Sequence, residues 1–115
     1  MGINEKIELM FEQHDHAGVI PLLERQLVKI PKDPQTLTLL GLAYFKLGSV
    51  DKAVQYLEMS KKLDEFNVLT FDILGDIFYQ SGNVRNALNH YHLGLVKGSR
   101  NIELMHKIKA IHEMA

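Results

Sequence analysis

Apolar residues recur with a spacing near 3.6 in successive stretches of roughly 13 residues, separated by short polar breaks. Runs that long and that evenly patterned suit amphipathic helices better than strands. The pattern predicts seven helices, near 3–13, 17–30, 34–47, 50–63, 68–81, 84–97 and 102–114, and no strand. The breaks hold residues whose side chains accept hydrogen bonds from the free N–H groups of a first helical turn. They form two series, Asp33, Asn67, Asn101 and Asp15, Ser49, Asn83, each advancing by 34 residues. Pro34, directly after Asp33, suits a first turn, and Pro21 is expected in the first turn of the second helix.

The same period appears in the residues themselves. LTLLGLAYFKLGSVDKAVQYL (Leu37 to Leu57) aligns without a gap on FDILGDIFYQSGNVRNALNHY (Phe71 to Tyr91). Leu40-Gly41 falls on Leu74-Gly75, Tyr44-Phe45 on Phe78-Tyr79, Gly48 on Gly82 and Ala53 on Ala87. An internal repeat of this length implies units that bury their apolar faces against their neighbours rather than one unitary core. The 115 residues then divide into about three units and a terminal helix.

Composition narrows the class. With 46% hydrophobic and 23% charged residues, the chain has the balance of a globular protein rather than a disordered one. Thirteen Lys and Arg against fourteen Asp and Glu give a net charge of −1, which offers no bulk footprint for nucleic acid. The absence of cysteine removes disulfides, thiolate nucleophiles and Cys-based metal sites. Glu5, Glu8 and Glu12 interrupt the N-terminal stretch, so it reads as neither signal peptide nor membrane anchor, and a cytoplasmic protein without membrane insertion is expected.

The repeat resembles the tetratricopeptide repeat, whose large-x2-Leu-Gly-x2-Tyr, then Ala, then aromatic signature recurs at 34 residues. One unit, 34–67, carries Leu37, Leu40, Gly41, Tyr44, Ala53 and Leu57; the next, 68–101, carries Phe71, Leu74, Gly75, Phe78, Ala87 and Tyr91. Residues 1–33 match as a degenerate unit, with Ile7 in place of the small glycine and Val19 in place of the alanine. Ser60 and Gly94 stand where the family usually has Ala, and Glu65 and Ser99 where it has Pro. The resemblance implies an all-α, right-handed superhelical solenoid of three helix pairs, a single domain over 1–115 that ends in a capping helix, 102–115. Lys109 at the small-residue position of that last helix would keep a further helix from packing, which suits a chain close to its natural end. Met105, Ile108 and Ile111 are expected to cover the last repeat, with Glu103, Lys107, Lys109 and Glu113 in water.

In that family the first helix of each repeat lines a concave groove. The corresponding positions here are Glu8, Phe11 and Glu12; Gln35, Thr38, Leu42, Phe45 and Lys46; and Leu69, Asp72, Asp76, Tyr79 and Gln80. Glu8 with Glu12 and Asp72 with Asp76 are like-charged pairs four residues apart, each costing a few tenths of a kcal/mol on a helix surface. The Lys, Asn and Arg clamp by which some members grip a C-terminal carboxylate is missing, since its positions hold Thr38, Leu42, Asp72 and Asp76. The implied partner is a protein segment, a peptide or helix rich in apolar and basic groups rather than an acidic tail, with Phe11, Phe45 and Tyr79 as an aromatic ladder. The alternative is a structural module that docks by its outer face or self-assembles, as members in secretion, pilus or organelle scaffolds do. Leu93 and Val96, three apart on the sixth helix, are expected to be covered by the last helix; left uncovered, they would form the patch of this alternative. A monomer is the expected state, with a homo-oligomer as the alternative.

No catalytic constellation stands out: no phosphate-binding loop, no Gly-x-Ser-x-Gly elbow, and carboxylate pairs only on exposed helices. His14/His16 and His90/His92 are spaced by two, which on a helix points the rings about 200° apart, unsuited to a shared metal. No enzyme activity, metal or cofactor is expected.

Overall fold

The computed structural model describes residues 2–97 and 101–114. Seven α-helices account for the ordered elements among them: α1 (Ile3–Glu12), α2 (His16–Lys29), α3 (Pro34–Lys46), α4 (Val50–Leu63), α5 (Val68–Gln80), α6 (Val84–Lys97) and α7 (Ile102–Met114). Each falls within a residue or so of the span expected from the apolar period. Ser99, a departure from the family pattern, lies outside the described residues.

Helix starts fall at the expected capping residues, though the Asn67 side chain makes no cap hydrogen bond at the start of α5. The Asp15 side chain accepts from the Gly18 N–H at 2.9 Å, Asn83 from Asn86 at 3.2 Å, and Asn101 from Leu104 at 3.0 Å. Asp33 stands at the N-cap of α3 but accepts instead from the Thr36 hydroxyl at 2.5 Å, beside Pro34 in the first turn. Helix ends are closed by one recurring turn. Gly48 and Gly82 lie at φ 83° and 85°, the left-handed region that spares glycine a steric cost, and their N–H groups bond back to Phe45 and Tyr79 carbonyls. His14 occupies the same register after α1, at φ 59°, with its N–H on the Phe11 carbonyl. The turn is therefore repeated three times, and in the degenerate unit a residue with a Cβ adopts it at a cost of about 1 kcal/mol.

The chain divides into two compact units, Met1–Leu63 and Asp64–Ala115. In the first, α1 packs on α2, α2 on α3 and α3 on α4. Its core is Ile7, Val19, Leu23, Leu40 and Ala43, all buried, with the Tyr44 and Tyr56 rings stacked at 5.7 Å along one edge. Thr38 and Ser60 are buried in the α3–α4 pair, their hydroxyls 2.6 Å apart, and Ser60 also donates to the Pro34 carbonyl. In the second unit α5 packs on α6 and α6 on α7, enclosing Ala87, Tyr91, Leu104, Ile108 and Ile111.

Each full repeat is closely packed at its signature glycine. A Cβ on Gly75 would run into the Tyr91 ring, and one on Gly41 would lie 2.6 Å from Leu57. Glycine here lets the helices approach closely, and it outweighs the propensity cost of about 1 kcal/mol for glycine inside a helix.

The capping helix packs as expected in part. Ile108 and Ile111 are buried, and so is Leu104, seated against Gly94, whereas Met105 is half exposed at 50%. Helical spacing explains the correction: Leu104, Ile108 and Ile111 share one face, and Met105 lies about 100° around from it. Because α7 docks through Gly94 rather than over its neighbours, Leu93 and Val96 remain exposed at 43% and 79%. The cover expected for those two side chains is therefore absent.

Two substitutions check the packing. Gly75→Ala is expected to lose about 1 kcal/mol net, because overpacking against the held Tyr91 ring exceeds the gain in helix propensity. His14→Gly is expected to gain about 0.5 kcal/mol, the relief of the left-handed residue less the added chain entropy of glycine. Chemical denaturation followed by circular dichroism reads both.

Candidate functional site

The first helices of the repeats place their side chains unequally. On α1, Glu8 and Glu12 are exposed and Phe11 is half-buried, its ring 5.8 Å from His16. Neither glutamate has an ion-pair partner among the described residues. On α3, Gln35 and Lys46 are exposed, and Leu42 and Phe45 are half-buried, with the Lys46 ammonium 6.0 Å from the Phe45 ring. Thr38, expected among the groove residues, is instead 1% exposed, with its hydroxyl turned to Ser60 of α4.

On α5 the two aspartates are engaged within the chain. Lys107 of α7 donates to Asp72 at 2.5 Å and to Asp76 at 3.1 Å, with Glu103 at 3.6 Å. The Tyr91 hydroxyl of α6 donates to the other Asp76 oxygen at 2.5 Å, and the Lys107 ammonium stands 5.7 Å from the Tyr91 ring. Three helices thus meet on one cation. Leu69 and Gln80 remain exposed, and so does Tyr79, whose hydroxyl reaches the Met114 sulfur at 3.4 Å. Lys107 and Met114 are seven residues apart on one flank of α7, so that flank lies along α5. The expectation that Lys107 stays in water is corrected by this contact: the docked Leu104 and Ile108 half-bury its stem, and the nearby aspartates, with Glu103 behind them, satisfy its charge.

The electrostatics of the pair are uneven. Asp72 is 8% exposed, and burial pushes its carboxyl above the usual carboxylate range despite the bond and charge of Lys107. Burial pulls the Lys107 ammonium down, but the hydrogen bond and charge of Asp72, with Asp76 behind them, more than offset it and hold the group above its ordinary value. The asymmetry follows exposure, since the Asp72 side chain is 11% exposed and that of Lys107 27%. Burial, reinforced by Asp76, drives the Tyr91 hydroxyl far above the usual phenol range, so it acts as a donor. A register clue could have flagged Lys107. It lies one repeat beyond Ile73, which is buried, and a lysine at such a position needs an acid nearby.

The histidines form a smaller cluster. The His14 and His16 rings stand 5.9 Å apart at an edge, and His16 Nδ1 is buried without a hydrogen-bond partner. Burial first, then the charges of His14 and Lys46, lower the His16 pKa below 6.5. Among the described residues, no group of three or more His, Cys, Asp or Glu could hold one metal ion. No helix among them is long and apolar enough to cross a membrane.

No protein-family profile matches the chain, and no curated protein matches it by sequence. Solved structures do match its fold. The first TPR of Spaghetti (RPAP3), bound to HSP90 peptide SRMEEVD, superposes with a TM-score of 0.84 at 19% identity, covering 97% of this chain and 89% of that one. The Sgt2 TPR domain from Aspergillus fumigatus gives 0.85 at 16% identity, over 97% of this chain and 76% of that one. The Yersinia enterocolitica type III secretion translocator chaperone SycD gives 0.84 at 14% identity, over 97% and 87%. The chain has the all-α tetratricopeptide-repeat fold.

Replacing Lys107 by Met is expected to cost about 2 kcal/mol or more near neutral pH, because a buried carboxylate loses its counter-ion. The sign with pH follows from the Asp72 shift. A carboxyl raised on folding costs nothing while protonated and costs stability as pH rises through its folded value, and loss of Lys107 raises it further. The stability gap between wild type and Lys107→Met should therefore be widest near neutrality and narrow as the Asp72 carboxylate protonates in acid. Comparing the two proteins at each pH cancels the loss of stability as His16, lowered on folding, is forced to protonate below about pH 6.5. Thermal melts over a pH series read the gap, and a constant gap would contradict the ion pair.

Proposed function

We propose that the chain is a non-enzymatic protein-interaction module, an adaptor, scaffold or chaperone-like unit that holds a peptide or helix of a partner on the first-helix faces of its repeats. The fold supports this reading, since the similar SycD is a chaperone and the similar RPAP3 domain holds a peptide. The single observation that carries the preference is on α1. Glu8 and Glu12 are exposed, four residues apart and without ion-pair partners among the described residues, next to the partly open ring of Phe11. Such a surface attracts a segment with Lys or Arg beside apolar groups and repels an acidic tail. Within the same unit, the half-buried Leu42 and Phe45 on α3 add apolar contact area; on α5 of the second unit, Tyr79 and Gln80 are proposed as further contacts. Asp72 and Asp76 contribute less than their sequence suggests, because Lys107 already neutralises part of their charge.

A second reading, docking into a larger assembly through the outer helix of the last repeat, is favoured by the exposure of Leu93 and Val96. Leu93→Ser with Val96→Ser leaves peptide binding unchanged if the first reading holds.

The test is fluorescence-anisotropy titration with two labelled peptides, one basic and amphipathic, the other the acidic SRMEEVD. The basic peptide should bind more tightly, and Glu12→Lys with Phe45→Ala should weaken it at least about tenfold. Equal or tighter binding of the acidic peptide would overturn the preference.

A further inference from the structure

The first helix pair departs from the other two at its crossing. Ile7, one repeat before Gly41, fills with a buried side chain the place where the other pairs have glycine. Beside it a cleft of about 820 Å³ opens between α1, the end of α2 and the start of α3. Its lining is mixed: Ile7 and Leu39 stand beside the buried Thr36, whose hydroxyl donates to Asp33, and aliphatic residues are exposed at its mouth, Val28 at 81%, Ile30 at 61% and Ile3 at 44%. Water-exposed aliphatics gathered round a concave surface are a mark of an interaction site.

The rim carries both signs of charge. Arg25 and Lys29 stand four apart on α2, and Glu8 faces them from α1. None of the three has an ion-pair partner among the described residues. A surface that holds unpaired cations on one side, an unpaired carboxylate on the other, and both a hollow and protruding aliphatics is complementary to itself. A two-fold axis running between the two charge groups sets Glu8 of one copy opposite the cations of the other, as an isologous interface requires.

We propose that the chain forms a two-fold dimer through this cleft, the Val28 and Ile30 side chains of each copy entering the hollow of the other. Glu8 of one copy then stands opposite Arg25 and Lys29 of the other, twice by symmetry. The proposal departs from the monomer expected from sequence because the cleft arises from helix placement, which the repeat pattern does not reveal. The proposal is independent of peptide binding except at Glu8, which borders both surfaces.

Sedimentation equilibrium over a concentration series tests it, with circular dichroism confirming that each variant keeps its helices. The wild type should reach twice the monomer mass and dissociate more readily in high salt. Val28→Glu with Ile30→Glu should weaken the dimer on the order of a hundredfold or more. Glu8→Lys alone and Arg25→Glu with Lys29→Glu alone should each run as monomers, while an equimolar mixture of the two should form a heterodimer, since the swapped charges again oppose. A wild type that stays monomeric at high concentration overturns the proposal. So does a dimer that survives Val28→Glu with Ile30→Glu, since that dimer would use another face, such as Leu93 and Val96.

Discussion

Two helices with apolar stripes exclude most water when their axes come close, and the smallest side chain at the crossing sets how close they come. In the α3–α4 and α5–α6 pairs that side chain is absent altogether: Gly41 lies against Leu57 and Gly75 against the Tyr91 ring. Gly94 does the same for the docking of α7 through Leu104. Where the rule is broken, at Ile7, the pair still buries Val19 and Leu23, but a cleft with exposed aliphatics at its mouth lies beside it. The tight core of the later repeats and the open edge of the first are thus two results of one constraint.

The placement of charge follows from the same contacts. Because α7 is drawn in by Leu104, Ile108 and Ile111, its next flank must lie along α5, and Lys107 on that flank meets Asp72 and Asp76. A cation taken partly out of water is stable only beside carboxylates, and a carboxylate as buried as Asp72 is tolerable only beside a cation. Tyr91 joins the network from α6, so the residue that fills the crossing at Gly75 also orients Asp76. Packing and electrostatics of the second unit meet in one side chain. Among the described residues of the first unit, the glutamates of α1 have no such internal counter-charge and face solvent.

Much of the architecture was legible. Helix spans, the 34-residue register, the capping roles of Asp15, Asn83 and Asn101, and the small-residue crossings all follow from local chemistry repeated along the chain. His14 adds to this, since it adopts the left-handed turn of Gly48 and Gly82 without sharing their residue type. The candidate site was less legible. Thr38 and Asp72 occupy groove positions by register but lie buried, turned to Ser60 and Lys107, contacts 22 and 35 residues away in the sequence. Register says which way a residue faces on its own helix; it does not say what a neighbouring helix brings to meet it.

The sequence by itself determined the elements, their period and the class of fold, because hydrophobic spacing, turn chemistry and the size of a residue at a crossing act over a few residues and repeat. Only the tertiary structure decided which charges are free. Whether a carboxylate can attract a partner depends on what lies within a few ångströms of it, and that is set by how helices dock. So Asp72 and Asp76 are bound within the chain, Glu8 and Glu12 face solvent, and Leu93 and Val96 are left uncovered, although the repeat pattern alone treats both acidic pairs alike.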